Sequence, residues 1–266
     1  MSGEDQLARL LRLARELPPA QLELLGTIAE KMNREVIQEV HETSDIATHV
    51  FCSTFLASLL LYHIWTEAPF SKVTFETIFR DACRSAGWTA DIANSRTFPG
   101  ADVVVNGVPI SLKTEAALDI KVDTLHISKF REARFIQQVA GSKEKLVALL
   151  KEKMLEHLDQ YERIITLRAH RSTGSILYEL VEIPRDLLRA VGTLSVDDFS
   201  PLTTQGGTTA RVSWRGKPAF TVRVDGSDGK ITLTSIQKSL CTVHVTWQVP
   251  FGLGAQPVTE LLLTPP

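Results

Sequence analysis

The sequence predicts a mixed α/β (α+β) fold, in which helices flank a sheet and a β-rich region follows. The composition is that of a globular protein of 266 residues, 44% of them hydrophobic and 23% charged, and a chain of this length can bury a sizeable core. The apolar pattern changes from a helical period before Gly87 to alternation after Trp88. Beyond Ser200, threonine, valine, serine and glycine dominate, as is typical of strands and turns.

The first region, residues 1–66, is predicted to be helical. Within residues 4–40, apolar residues recur at helical spacing on both sides of Pro18 and Pro19, which interrupt the helix because proline lacks an N–H donor and clashes with the preceding turn. The apolar positions include Leu7, Leu10, Leu11, Leu13, Leu22, Leu24, Leu25 and Ile28. We predict a helical hairpin whose apolar face either covers the core or forms a dimer interface.

The segment Ile46–Thr66 contains no Asp, Glu, Lys or Arg, and it is long enough to span a bilayer. Polar side chains interrupt it, and their burial in hydrocarbon would be costly. They include His49, Ser53, Thr54, Ser58 and His63. The segment therefore predicts a buried core helix or a subunit-interface helix, and no membrane association is expected.

Cysteine usage and the absence of targeting motifs predict a cytoplasmic protein. The chain has three cysteines, an odd number, and they are widely spaced: Cys52, Cys83 and Cys241. The N-terminus is charged and has no apolar secretory segment. The formal net charge of -2 excludes histone-like binding of nucleic acid but leaves room for a local basic patch. Without a Walker A loop, no nucleotide cofactor is expected.

The second region, residues 67–200, is predicted to contain a helix, a hairpin, a long helix and two further strands. Ser71 is a suitable N-cap for the first helix, and Gly87 is a suitable terminator. Asn106 and Gly107, between two apolar runs, are the strongest short-range signal for a hairpin turn. The segments after the first helix are predicted as Asp102–Val105, Val108–Glu115, Ser142–Tyr161, Arg163–Ala169 and Ile176–Ile183.

The hairpin places side chains that can bind a cation near one another. Asp102 begins its first strand, while Ser111, Lys113 and Glu115 share one face of the second strand because side chains alternate with period two. Adjacent carboxylates are the oxygen ligands that Mg²⁺ prefers, and a neighbouring lysine can orient a water or neutralise charge on a phosphate. Asp102, Lys113 and Glu115 are therefore predicted to converge.

The spacing of Pro99, Asp102 and Ser111-Leu112-Lys113 resembles the PD-(D/E)xK nuclease motif. The stretches SRTFPGAD, SLKTEAA, LHISKF, EHLDQYERIITLR and YELVEIP resemble, in order and spacing, Type II restriction endonucleases of the SmaI family, from about Ser71 to Pro184 and weakly through Val224–Trp247. The resemblance implies a nuclease core in residues 67–200. It also implies a homodimer that cuts double-stranded DNA with Mg²⁺ at a palindromic G+C-rich site, CCCGGG or a longer site containing it, leaving blunt ends.

Ser111 departs from the motif, which has Asp or Glu at this position. The missing carboxylate is expected from Glu115, two positions further on the same face, and from Glu76, where related nucleases often carry an additional acid. The predicted catalytic residues are thus Asp102, Lys113, Glu115 and Glu76, and the three acids are the predicted metal ligands. The alternatives are a solvated strand end for Glu115 and a helix surface pair with Arg80 for Glu76.

The third region, residues 201–266, is predicted to be β-rich and to contact DNA. Residues 203–238 contain six basic and two acidic side chains, a local charge of +4, which can bind phosphates, and arginine can read guanine in the major groove. The predicted DNA contacts are Arg96, Ser128, Lys129, Arg131, Arg211, Arg215, Arg223 and Lys230. The alternative is that these charges only protect strand edges from aggregation.

Two other functions remain open from the sequence. The first is a repair nuclease on the same core that recognises a DNA structure or a mismatch. The second is a DNA-binding protein on a catalytically decayed scaffold, which the serine at position 111 would favour.

Overall fold

The computed structural model describes residues 3–94, 97, 100–139 and 141–250, which form six α-helices and eleven strands in two sheets. This architecture confirms the predicted mixed α+β class. The first half contains α1 (Gly3–Arg15), α2 (Pro19–Met32), β1 (Ile37–Val40), α3 (His49–Tyr62), α4 (Lys72–Ser85), β2 (Ala90–Ile92), β3 (Val103–Val105), β4 (Val108–Glu115) and β5 (Thr124–Glu132). The second half contains α5 (Lys143–Leu158), β6 (Arg163–Ser172), β7 (Ser175–Glu182), α6 (Arg185–Arg189), β8 (Thr208–Trp214), β9 (Lys217–Asp225), β10 (Lys230–Gln237) and β11 (Thr242–Pro250).

The first sheet has seven strands in the order β1-β11-β7-β6-β4-β3-β2. Its neighbours are antiparallel except β4 and β6, which are parallel. A parallel pair needs a long crossover, and here that connection contains β5 and α5. Strands from all three predicted regions share this sheet, since β1 pairs with β11 and β11 with β7.

Helices α3 and α4 pack on the first sheet through aromatic side chains. Phe51 and Phe55 of α3 and Phe75 of α4 are fully buried, and Phe55 stacks on Trp247 with ring centroids 4.8 Å apart. The uncharged segment around α3 is therefore a core helix, one of the two predicted roles. In the part of the chain that the structure describes, no helix combines the length and apolar character that crossing a membrane requires.

The second sheet has four strands in the order β5-β10-β9-β8. The inner side chains of this sheet, those of α5 and some from the first sheet form one apolar cluster. Its members include Leu150 and Met154 of α5, Val222 and Leu233 of the second sheet, and Ile164 of the first sheet. Helix α5 thus packs with both sheets and fixes their relative position.

The break at Pro18 and Pro19 separates α1 from α2 as predicted, and neither helix has a completely buried side chain. Leucines on both helices are between 43% and 57% exposed, namely Leu7, Leu10, Leu11, Leu13, Leu22 and Leu24. Helix α2 contacts the core helix α3, and Lys31 donates to the Ile64 carbonyl just after α3 at 2.9 Å. The helical pattern predicted to reach residue 40 ends at Met32, and that part of the prediction is wrong because Ile37–Val40 pairs with β11 as an edge strand.

The β3–β4 hairpin forms as predicted around Asn106 and Gly107. Both have positive φ angles, of 48° and 83°, as a type I′ turn requires. The register pairs Val103 with Ile110, and the Asp102 N–H donates to the Ile110 carbonyl at 2.8 Å. This register brings Asp102 next to the residues of β4 that follow Ile110.

Candidate active site

The start of β3, strand β4 and the first turns of α4 together bring four charged side chains to one place. Asp102 lies just before β3, Lys113 lies on β4, and α4 contributes Lys72 and Glu76. Helix α4 begins directly after Ser71, the predicted N-cap. The Ser71 hydroxyl caps the helix by accepting a hydrogen bond from the Thr74 N–H. Since residues four apart share a helix face, Lys72 and Glu76 both lie near the hairpin.

The carboxylate of Asp102 is held in a fixed orientation by β4. Its Oδ2 accepts from the Leu112 N–H at 2.6 Å and from the Ser111 hydroxyl at 3.2 Å, while Oδ1 accepts from Lys72 Nζ at 2.7 Å. The side chain is only 15% exposed. Asp102 is thus preoriented, and both of its oxygens have partners in the protein.

Lys113 is held by Ser111, the residue that departs from the motif. Lys113 Nζ donates to Ser111 Oγ at 2.8 Å and lies 3.9 Å from Asp102 Oδ2. Burial lowers the pKa of Lys113, the charge of Lys72 lowers it further, and the charges of Asp102 and Glu76 oppose this shift. The buried serine therefore bridges the aspartate and the lysine instead of supplying a charged ligand.

Glu76 joins the same group through Lys72. Glu76 Oε1 lies 3.3 Å from Lys72 Nζ, so the ammonium group contacts both Glu76 and Asp102. Burial lowers the pKa of Lys72, but the two carboxylates outweigh it, and the net shift is upward. The alternative partner of Glu76, Arg80, pairs with Asp81 instead.

Glu115 does not join this group, which corrects the expected convergence. Its Oε2 accepts from Arg168 Nε at 2.8 Å and its Oε1 from the His126 N–H at 3.0 Å. Glu115 is 6% exposed and Arg168 is completely buried. Because both carboxylate oxygens are engaged in this buried contact, the geometry does not support Glu115 as a ligand shared with Asp102.

The contact of Glu115 belongs to a buried network centred on Arg168. Arg168 also donates to Glu179 at 2.5 Å, and Glu179 accepts from His170 and Lys238. Burial by itself would raise the pKa of Glu179, but the hydrogen bonds from His170 and Lys238 and the charges of Lys238 and Arg168 lower it to about 2. Arg168 further binds backbone carbonyls of residues 121, 122 and 124, so the network fixes the start of β5 against the first sheet.

Within the described residues, one cluster of two acids and a histidine could hold a metal ion. It consists of Asp45, Glu182 and His244, whose potential ligand atoms lie within 4.8 Å of one another. The Arg163 guanidinium donates to Asp45 at 2.8 and 2.9 Å and also pairs with Glu182. A cation of the protein thus already neutralises these acids. The cluster joins the segment before α3 to strands β6, β7 and β11.

The outer surface of the second sheet is polar and basic. We call it the polar sheet face and define it by Ser128, Thr209, Arg211, Thr221, Arg223 and Thr234. The register pairs Arg211 with Thr221 and Arg223 with Thr209, while their sequence neighbours on β8 and β9 are buried. Arg223 has one acidic neighbour, Asp225, at 3.6 Å. Two predicted arginines, Arg211 and Arg223, therefore lie exposed at diagonal positions on the same face of β8 and β9.

The other predicted DNA contacts have partners within the chain or lie elsewhere. Lys129 pairs with Glu132 at 3.0 Å and Lys230 with Asp228 at 2.6 Å. Arg215 lies in the β8–β9 turn, 4.2 Å above the Trp214 ring. Arg131 is half-buried and donates to the Lys153 carbonyl, while Arg96 lies outside the described residues.

A cleft connects the end of β4 with the polar sheet face. Its lining includes two acids, Glu115 and Asp119, together with Thr114, Lys121, His126, Ser128, Thr234 and Ser235. The cleft thus adjoins both the end of β4 and the polar sheet face. The sequence predicted neither this cleft nor the position of Lys72. The only local signal for Lys72 is a lysine in the first turn of a helix, where a positive charge is unfavourable.

Comparison with known proteins supports a nuclease. The family model described as SmaI, Type II site-specific deoxyribonuclease, matches residues 13–249. The chain is 32% identical over 209 residues to the Type II restriction enzyme SmaI of Serratia marcescens, a match that covers 77% of this chain and 82% of the relative. No solved structure shows a significant match. The match to the family model spans most of the chain, and the protein therefore belongs to the SmaI family of Type II site-specific deoxyribonucleases.

Proposed function

We propose that the protein is a homodimeric, Mg²⁺-dependent endonuclease of the PD-(D/E)xK type, with Asp102, Glu76 and Lys113 as its catalytic residues. The proposed substrate is double-stranded DNA with a palindromic G+C-rich site, CCCGGG or a longer site containing it, cut to blunt ends. The observation that carries the proposal is the contact among Asp102, Ser111 and Lys113, with Glu76 on the other side of the Lys72 ammonium.

The residues present fit a divalent cation. Asp102 and Glu76 are mostly buried carboxylates, 15% and 17% exposed, that already share one positive charge. Mg²⁺ prefers such oxygen ligands and fills its remaining positions with water. When bound, it supplies Lewis-acid polarisation of the scissile phosphate and a lowered pKa for water. Glu115 is not included among the proposed ligands, because Arg168 and the His126 N–H occupy its oxygens.

The remaining chemistry belongs to residues of the chain. The Leu112 N–H and the Ser111 hydroxyl hold Asp102 in place, so little reorientation is needed when substrate arrives. Ser111 also directs the Lys113 ammonium into the site, where it can neutralise charge that develops on the phosphate. In this arrangement serine is a positioning residue, which supports an active enzyme over a decayed scaffold.

Cleavage of plasmid DNA with Mg²⁺, with and without chelator, tests the proposal. Discrete fragments whose ends map by run-off sequencing to one palindrome, with blunt termini, are expected only with the metal. A smear would favour the repair-nuclease alternative. A mobility shift without cutting would favour the DNA-binding alternative and overturn the proposal.

We propose that the polar sheet face contacts DNA. Replacement of Arg211 or Arg223 with alanine should weaken binding of the cognate duplex by about 1–3 kcal/mol if the guanidinium reads a guanine. A phosphate contact would instead weaken cognate and non-cognate binding alike and reduce the salt dependence. Fluorescence anisotropy with both duplexes at several salt concentrations measures this. Lys145→Ala, which removes an exposed charge on α5, is the control, and equal binding by all three variants would contradict the assignment.

We propose that α1 pairs with α1 of a second copy. Its exposed leucines form an apolar stripe, and the helix has Glu4 in its first turn and Arg12 and Arg15 in its last turn. Antiparallel pairing about a two-fold axis would bury the leucines and bring opposite charges together. A palindromic site also requires two active sites.

Leu7→Glu combined with Leu11→Glu should convert the dimer to a monomer, because each partner would then place like charges in the apolar stripe. Analytical ultracentrifugation at several protein concentrations measures the change. Leu118→Glu is the matched control, since Leu118 is 81% exposed in the loop after β4. A double variant that remains dimeric would place the interface elsewhere.

A further inference from the structure

We propose that Lys72 is an internal counter-cation that occupies the divalent-cation position of the DNA-free protein, so that the metal enters only by displacing its ammonium group. The inference rests on the proposed function, because it takes Asp102 and Glu76 as the metal ligands. It assigns Lys72 a role distinct from that of Lys113. The geometry that carries it is the position of one ammonium group between two carboxylates.

The distances show which lysine neutralises the acids. Lys72 Nζ lies 2.7 Å from Asp102 Oδ1 and 3.3 Å from Glu76 Oε1. Lys113 Nζ is 3.9 Å from Asp102 Oδ2, and its hydrogen bond goes to Ser111. A cation that binds Asp102 and Glu76 together would therefore take the place of Lys72, not that of Lys113.

The position of Lys72 is maintained by these acids and not by its helix. Lys72 is the first residue of α4, which has no acidic residue in its first turn. A positive charge is unfavourable at a helix N-terminus, because the backbone N–H groups there carry partial positive charge. When a divalent cation neutralises the two carboxylates, the force that keeps the ammonium in the site disappears.

Lys72 is able to leave, whereas Lys113 is not. The Lys72 side chain is 45% exposed, and that of Lys113 is 15% exposed and fixed by Ser111. A lysine has a flexible four-carbon chain and a strongly hydrated ammonium, so Lys72 can swing into solvent or to a phosphate of bound DNA. We infer that competition from Lys72 keeps metal affinity low until DNA offers its ammonium another partner.

The test measures Mn²⁺ binding to the DNA-free protein, using the electron paramagnetic resonance signal of unbound Mn²⁺. Mn²⁺ takes the same oxygen ligands as Mg²⁺. Lys72→Met should bind Mn²⁺ about tenfold more tightly than the wild type or better, since a competing charge is gone. Lys72→Arg should bind Mn²⁺ as weakly as the wild type. Lys72→Gln serves as a second neutral variant, and circular dichroism confirms that each variant is folded.

Lys145→Met removes a distant exposed charge and should leave Mn²⁺ affinity unchanged. In the double variant Lys72→Met with Asp102→Asn, the gain in affinity should disappear. Equal affinity of the wild type and both neutral variants, with binding that still depends on Asp102, would overturn the role of Lys72 while the proposed metal site stands. Binding that does not depend on Asp102 in any variant would overturn the proposed metal site itself.

Discussion

Asp102→Asn is expected to lower the single-turnover rate of DNA cleavage by at least about 10³-fold. The fold and the binding of cognate DNA should remain intact. The amide keeps the size of the side chain and an oxygen that can accept the Leu112 N–H. It removes the charge that Lys72 now shares and that a divalent cation would need. Rapid-quench cleavage assays and fluorescence anisotropy separate the two effects.

Asp81→Asn is the matched control, because Asp81 is half-exposed on α4 and pairs with Arg80 outside the site. It should cleave at the wild-type rate. Lys113→Ala should lose cleavage as severely as Asp102→Asn, since no other ammonium is held by Ser111 in the described part of the chain. Cleavage at an undiminished rate by either site variant would disprove the active-site assignment.

Arg168→Met is expected to cause the largest loss of stability, about 3–5 kcal/mol, because it leaves buried acids without their counter-charge. Glu115 and Glu179 are 6% and 5% exposed, so neither can recover full hydration. The backbone carbonyls of residues 121, 122 and 124 also lose their donor. Thermal and urea unfolding of the purified variant measure the loss.

Arg223→Met is the control for this loss, because it removes an arginine from an exposed strand position. The free energy of unfolding of this variant should differ from that of the wild type by no more than about 0.5 kcal/mol. If Arg168→Met does not accumulate as folded protein, Lys238→Met provides a milder test, since it removes one partner of Glu179 and keeps Arg168. Wild-type stability in both network variants would show that the network does not stabilise the fold.

Glu115→Gln distinguishes a structural role of Glu115 from a catalytic one. If the carboxylate only neutralises Arg168, the variant should lose stability but keep its cleavage rate at a temperature where it is folded. If Glu115 were a metal ligand, the variant should lose cleavage and keep its stability. The two contacts of Glu115, with Arg168 and with the His126 N–H, support the structural role.

Much of the fold could be predicted from the sequence because its signals are local. The Asn106-Gly107 turn, the Ser71 cap and the break at Pro18 and Pro19 all act within a few residues of where they occur, and each forms as predicted. The error in the N-terminal region has a different origin. Whether Ile37–Val40 continues a helix or forms a strand depends on an edge that β11 provides some 200 residues later.

The sequence by itself determined the hairpin and the proximity of Asp102 to Lys113, because the turn fixes the register and the register fixes which residues face each other. It also determined that Ser111 and Lys113 share a face. The tertiary structure alone decided which charges meet. Glu115 pairs with Arg168, 53 residues away, and Lys72 contacts Asp102 across 30 residues. Periodicity shows on which face a side chain lies, but Coulomb attraction depends on distance in space, which only the packed chain defines.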